Sequence, residues 1–246
     1  MMGRMHERAW AIIGSIGCVL ALASEAHGQQ TALTRDAAAA RELQKPYTQA
    51  EAGVSILTLP TTKVCLTEPG TCTRGDITPQ GYVWMLYRAG AQYAIGAGAS
   101  YAPSIKTDTP QPIYPGLDRT HKRDYLMIDM TGRYYAVHSS WLEGWVGATV
   151  GGVVVYDHYD TKMANPSAPI LGPSGVLAST EGLSMGIAAG LGWTFAANWS
   201  VEAGLRSAWW YLPSTRACAP TGDCATLVGN VAVFTLGIGV AYRIAL

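Results

Sequence analysis

Charge is scarce in this chain of 246 residues: Asp, Glu, Lys and Arg make up 14%, against roughly 25% in soluble globular proteins. Something other than a charged surface must keep the molecule in its solvent. The 17 Lys and Arg balance the 17 Asp and Glu, so no broad field of either sign exists to gather nucleic acid or cations. Long apolar runs are missing beyond the N-terminus. The best stretches, 145–156 and 183–197, are broken by glycine and fall short of the roughly 18–20 residues a membrane-spanning helix needs, which excludes a helical inner-membrane protein. Histidines number only 5 and do not cluster. No cysteine pair has C-x-x-C spacing, so neither a metal site nor a cofactor is expected.

What the chain does have is alternation. From residue 51 onward, bulky apolar residues recur at every second position, with Gly, Ala, Ser or Thr between them. The clearest case is 183–195, where Leu183, Met185, Ile187, Leu191, Trp193 and Phe195 interleave with small residues. A period of two is a β-strand with unlike faces. Soluble sheets turn Lys, Glu and Thr to water, whereas the less apolar face here is mostly glycine and alanine. The large side chains are therefore expected to face lipid, and the small ones a narrow lumen.

The N-terminus supplies the route. A basic start (1–8) leads into the apolar run 9–23, which stops at Ser24-Glu25-Ala26. This is the pattern of a secretory signal cleaved after Ala26 or Gly28, giving a signal peptide over 1–28. Lipidation at Cys18 is disfavoured, since Ser15 stands where lipoprotein boxes usually carry Leu. Residues 29–50 read as a periplasmic arm with a helix former at 36–43 too short to be stable alone. An exported chain without spanning helices that turns apolar faces outward needs a closed barrel, which satisfies its backbone in lipid.

Eight strands are predicted, at 51–60, 80–88, 92–103, 124–137, 141–157, 182–195, 199–212 and 228–245. Connections alternate between short turns (89–91, 138–140, 196–198) and long loops (61–79, 104–123, 158–181, 213–227), as in outer-membrane barrels with periplasmic turns and outside loops. Three-residue turns pair Phe195 with Trp199, Tyr87 with Tyr93, and Arg88 with Gln92. Tyr101, Tyr156, Trp209 and Tyr211 fall at the outer strand ends, as an interfacial girdle requires.

The assigned inward faces carry Arg88, Asp129, Arg133, Glu143, Glu202, Arg206 and Arg243. Arg133 with Glu143, and Glu202 with Arg243, are expected as salt bridges. Eight strands enclose an interior that side chains fill, so these charges read as a closed polar core in preference to a conduit. Cys65 with Cys72, and Cys218 with Cys224, form two close pairs in long loops. In an exported protein they are expected as disulfides, with cross-linking between the two loops as the alternative. His158 sits in a polar rim segment and reads as solvated loop. Catalysis is not expected, although His138, Ser140 and Glu143 offer the parts of a His-x-Ser and acid site.

The terminal segment 231–246 places Phe234, Leu236, Ile238, Val240, Tyr242, Ile244 and Leu246 on one face. It resembles the assembly signal that ends outer-membrane barrels, a family including the OmpA membrane domain and the small OmpX-like barrels. Phe234, Tyr242 and Leu246 carry that resemblance, although Leu246 stands where the family usually has an aromatic. The resemblance covers 51–246. It implies a transmembrane, antiparallel, up-and-down all-β barrel in the bacterial outer membrane, recognised by the barrel-assembly machinery and surrounded by lipid and lipopolysaccharide. A structural or surface-interaction role through four outside loops is the leading expectation. The alternatives are a narrow porin-like pore, a lipid A-modifying enzyme like the deacylases that resemble such barrels, and a soluble lipocalin-like carrier with the bulky face inward.

Overall fold

The computed structural model describes residues 46–60, 63–65, 72–103, 118–139, 141–162, 175–220 and 222–246. The signal assigned to 1–28 and residues 29–45 of the arm assigned to 29–50 lie outside the described residues. The strands are β1 (Tyr47–Thr58), β2 (Lys63–Cys65), β3 (Cys72–Arg74), β4 (Ile77–Arg88), β5 (Tyr93–Ala102), β6 (Asp118–His138), β7 (Leu142–Lys162), β8 (Val176–Ala196), β9 (Trp199–Tyr211) and β10 (Asn230–Ala245). Eight of them form a closed antiparallel barrel in which every sequential neighbour pairs, and β10 returns to β1 from Tyr47↔Ala245 to Thr58↔Phe234. β2 and β3 make a small separate hairpin within the first long loop.

The alternation decides which face each residue takes. Val54, Ile95, Ile128, Met130, Ile187, Leu236 and Ile238 point outward and are 55–65% exposed. In water such a belt would be an aggregation surface far beyond the few hundred Å² that soluble monomers tolerate. In hydrocarbon it is the favoured exterior. The bulky face is thus outside, which overturns the lipocalin-like alternative. Exposed Tyr87, Tyr93, Trp141, Trp193, Phe195 and Trp199 ring the end with short turns, and Tyr101, Trp209 and Tyr211 ring the other.

Strand ends differ from the sequence reading. β1 begins at Tyr47, so residues 47–50 are strand and not arm. β6, β7 and β8 run 21 residues each, taking in 118–123 of the expected loop 104–123 and both ends, 158–162 and 176–181, of the expected loop 158–181. Above the lipid belt both faces of these strands become polar, and a loop and a solvated strand then look alike in sequence. Two turn registers are also corrected. Arg88 pairs with Ala94 and Tyr87 with Ile95, a shift of two that preserves every facing. At the β8–β9 turn, Ala196 pairs with Trp199 and a bulge at 194–196 absorbs Phe195, so Phe195 and Trp199 share the outer face without being partners.

Candidate functional site

The lumen is packed in layers. Its inward glycines are seats for large side chains. A Cβ on Gly190 would lie 2.5 Å from the Trp145 ring, and one on Gly239 2.5 Å from the Tyr82 hydroxyl. The small-residue face read from the sequence is therefore occupied by indoles and phenols from other strands.

At the turn end, the Arg88 guanidinium donates to the Tyr47 hydroxyl (2.6 Å) and to Glu143 Oε1 (2.8 Å) and stacks 3.7 Å from the Tyr135 ring centroid. Arg243 donates to Glu143 Oε2 at 2.7 Å. Glu143 is thus shared by two arginines. Above it, Arg133 donates to Glu51 at 2.9 Å and lies 4.1 Å from the centre of the Trp145 ring. Glu202 accepts from the Ser200 hydroxyl at 3.0 Å. Arg206 bridges Asp129 (2.7 Å) and Ser184 (3.1 Å). A cavity of about 90 Å³ remains among Glu51, Tyr82, Thr131, Arg133, Thr149 and Glu202, large enough for a few waters. Buried polar atoms such as Thr149 Oγ1 and Arg133 Nε find no protein partner among the described residues.

The structure thus places all seven inward charges in the lumen but pairs them differently from the sequence expectation. Arg133 meets Glu51 and not Glu143, and Arg243 meets Glu143 and not Glu202. Both expected pairs were drawn between neighbouring strands, whereas charges in a narrow barrel reach across it. Glu51, missed because strand 1 was taken to begin there, follows the alternation Gln49, Glu51, Ser55, all buried. That alternation was the signal that could have found it.

Higher still, Leu57, Leu59, Tyr125, Met127, Val153, Val155, Trp210, Leu227, Val231 and Val233 form a continuous buried apolar layer. Leu227 in that layer comes from the last long loop. This loop folds back into the mouth, with Asp223, Ala225, Thr226 and Leu227 buried. Its neck is pinched by Leu212 N–H to the Gly229 carbonyl and Gly229 N–H to the Pro213 carbonyl, both at 3.0 Å. The loop sits on a polar floor supplied by the tall strands. Thr226 donates its N–H to Asp157 Oδ2 (3.1 Å) and its hydroxyl to Asp157 Oδ1 (2.5 Å). The Arg123 Nε donates to Thr226 Oγ1 at 2.9 Å. The Tyr159 hydroxyl donates to the Cys224 carbonyl at 2.6 Å. His121 lies 2.7 Å from Asp157, and Tyr125 donates to Asp76 at 2.6 Å. None of this network was singled out from sequence.

Cys218 and Cys224 are joined as a disulfide. For the other pair, the β2–β3 register sets Cys65 opposite Cys72, while their side chains lie outside the described residues. Of the His-x-Ser alternative, His138 is exposed as the last residue of β6 and Ser140 lies outside the described residues. Glu143 is held inside by its two arginines. His158 stands on the outer face at the loop end, 3.3 Å from Asp124, on a strand and not in a loop. Phe234 and Tyr242 point outward on β10, and Leu246, one residue past its end, is exposed.

No family model matches the chain, and no curated protein sequence matches it. Solved structures do. Neisserial surface protein A aligns at 14% identity over 81% of this chain and 97% of its own, with a TM-score of 0.44. Ail, the attachment invasion locus protein of Yersinia pestis, solved with the heparin analogue sucrose octasulfate, aligns at 13% identity over 81% and 99%, with a TM-score of 0.46. The outer membrane protein OprG from Pseudomonas aeruginosa aligns at 12% over 82% and 98%, with a TM-score of 0.41. These values are too low to transfer a role from any of the three.

Proposed function

We propose that this chain is an integral barrel of the bacterial outer membrane with a closed lumen, acting through the surface it presents outside. The observation that carries this reading is the pair of seals across the interior. The apolar layer from Leu57 to Trp210 spans the lumen, and the last long loop fills the mouth above it. An ion crossing that layer would leave water for largely hydrocarbon-like surroundings, at a high cost in free energy. The lipid-facing belt contacts outer-membrane lipid, with lipopolysaccharide around the loop end. β10 offers Phe234 and Tyr242 outward, with Leu246 just past its end, to the assembly machinery. No reaction is assigned to the barrel, because the acid of the hydrolase alternative is neutralised by Arg88 and Arg243.

Reconstitution into planar bilayers tests the closed lumen. The expected record is flat at 100 mV, and steady unitary steps would replace this reading with the narrow-pore alternative. The voltage is about 2.3 kcal/mol per elementary charge, far below the barrier of a dry layer.

A further inference from the structure

In the last long loop, the segment seated on the barrel and the cross-link that orders the loop are adjacent in sequence. Thr226 and Leu227 are the seat, held by Asp157, Arg123 and the apolar layer. The cross-link is the Cys218–Cys224 bond, which ends two residues earlier and lies wholly within the loop. Between them the Cys224 carbonyl receives the Tyr159 hydroxyl. The disulfide also closes the turn in which Ala219 N–H meets the Asp223 carbonyl (2.7 Å) and Ala225 N–H meets the Ala217 carbonyl (2.8 Å). Gly222 and Gly229 take the positive φ that these bends require, which glycine adopts without strain.

We propose that this disulfide is a redox latch for the mouth. Oxidised, it restricts the segment 218–224 that leads into the seat, so that docking Thr226 and Leu227 costs less further order. The sulfurs are on the accessible side: Cys218 is exposed and Cys224 half-buried, while Ala225 just beyond is fully buried. A small dithiol can therefore reach the bond. Thiol–disulfide exchange gives it two electrons and two protons; the S–S bond breaks, both cysteines become thiols, and the dithiol closes to its own disulfide. Once reduced, the loop keeps its noncovalent contacts, those of Thr226, Leu227 and the Cys224 carbonyl among them, but loses the cross-link that pre-orders the turn leading into them. Opening uncovers the floor formed by Asp157, His121, Arg123 and Asp76, turning a neutral cap into a charged surface facing outward. Opening takes Leu227 out of the apolar layer, but the strand residues of that layer, among them Leu57, Tyr125, Val153 and Trp210, stay in place and keep the lumen closed in both states, so the outcome is independent of bilayer conductance.

Hydrogen exchange on the full-length folded protein in micelles, with and without dithiothreitol, tests the latch. Reduction is expected to speed exchange of the Thr226 and Leu227 amides roughly tenfold or more, as local opening does, leaving residues 234–242 of β10 unchanged. The Cys218→Ser/Cys224→Ser variant should exchange at the reduced rate and ignore the dithiol, which separates this bond from any effect at Cys65 and Cys72. Unchanged exchange in wild-type protein whose Cys218 and Cys224 are shown by alkylation to be free would overturn the proposal. So would equal acceleration in β10, since the bond would then support the whole barrel and not the lid.

Discussion

Arg133 is the residue on which the middle of the lumen turns. It is 5% exposed, pairs with Glu51, and lies against the Trp145 ring. Glu202, also buried, has no arginine among its described hydrogen-bond partners and takes only the Ser200 hydroxyl. Replacing Arg133 by Met keeps much of the volume but leaves Glu51 and Glu202 in one water-poor space. Breaking a buried pair from one side costs about 3–5 kcal/mol. Arg133→Met is therefore expected to lower the unfolding free energy of the barrel, read from urea titration, by that amount. Arg133→Met/Glu51→Gln should recover roughly half of the loss or more, because the stranded charge goes with its partner. If the double variant is as unstable as the sum of the singles, the two side chains do not act as a pair.

Among the strands, Gly151 and Gly152 in β7 make a paired test of facing. A Cβ on Gly151 would run into the Ile128 carbonyl and lie 2.6 Å from the Asp129 Cα. On Gly152 it would meet nothing nearer than the Gly182 carbonyl at 3.9 Å. Gly151→Val should therefore prevent recovery of folded barrel in refolding trials followed by gel migration. Gly152→Ala should fold as well as wild type. Similar yields for both would mean that β7 sits in another register. Facing was legible in the chain because a period of two survives even when strand ends are misplaced, and this is why Arg88, Asp129, Arg133, Glu143, Glu202, Arg206 and Arg243 all lie inside. Their partners were not legible, since pairing across a lumen depends on barrel width and strand tilt. His121 and Arg123 were read as loop, and Asp157 as the last residue of its strand, for a related reason: where a strand leaves lipid, the contrast between its faces fades. The inward fold of residues 223–227 follows no period.

For the whole molecule, the outer belt determines the solvent. A charge placed on it at mid-depth costs about 2–4 kcal/mol for Arg or Lys. Ile238→Arg, on a side chain 55% exposed, should destabilise the barrel by that much in lipid vesicles. Spin labels at positions 187 and 238 should report an oxygen-rich hydrocarbon setting. Strong contact with aqueous relaxation agents at both positions would refute a lipid-facing belt.

The pairing of β1 with β10 joins the first strand of the ring to the last through twelve successive partners. Neither edge of the sheet is satisfied until the final residues have been made, and in hydrocarbon a row of open peptide groups is intolerable. Insertion and closure must then follow completion of the polypeptide. A nonsense change anywhere before residue 230 should yield no smaller version of the protein, only an unfolded chain left for proteolysis.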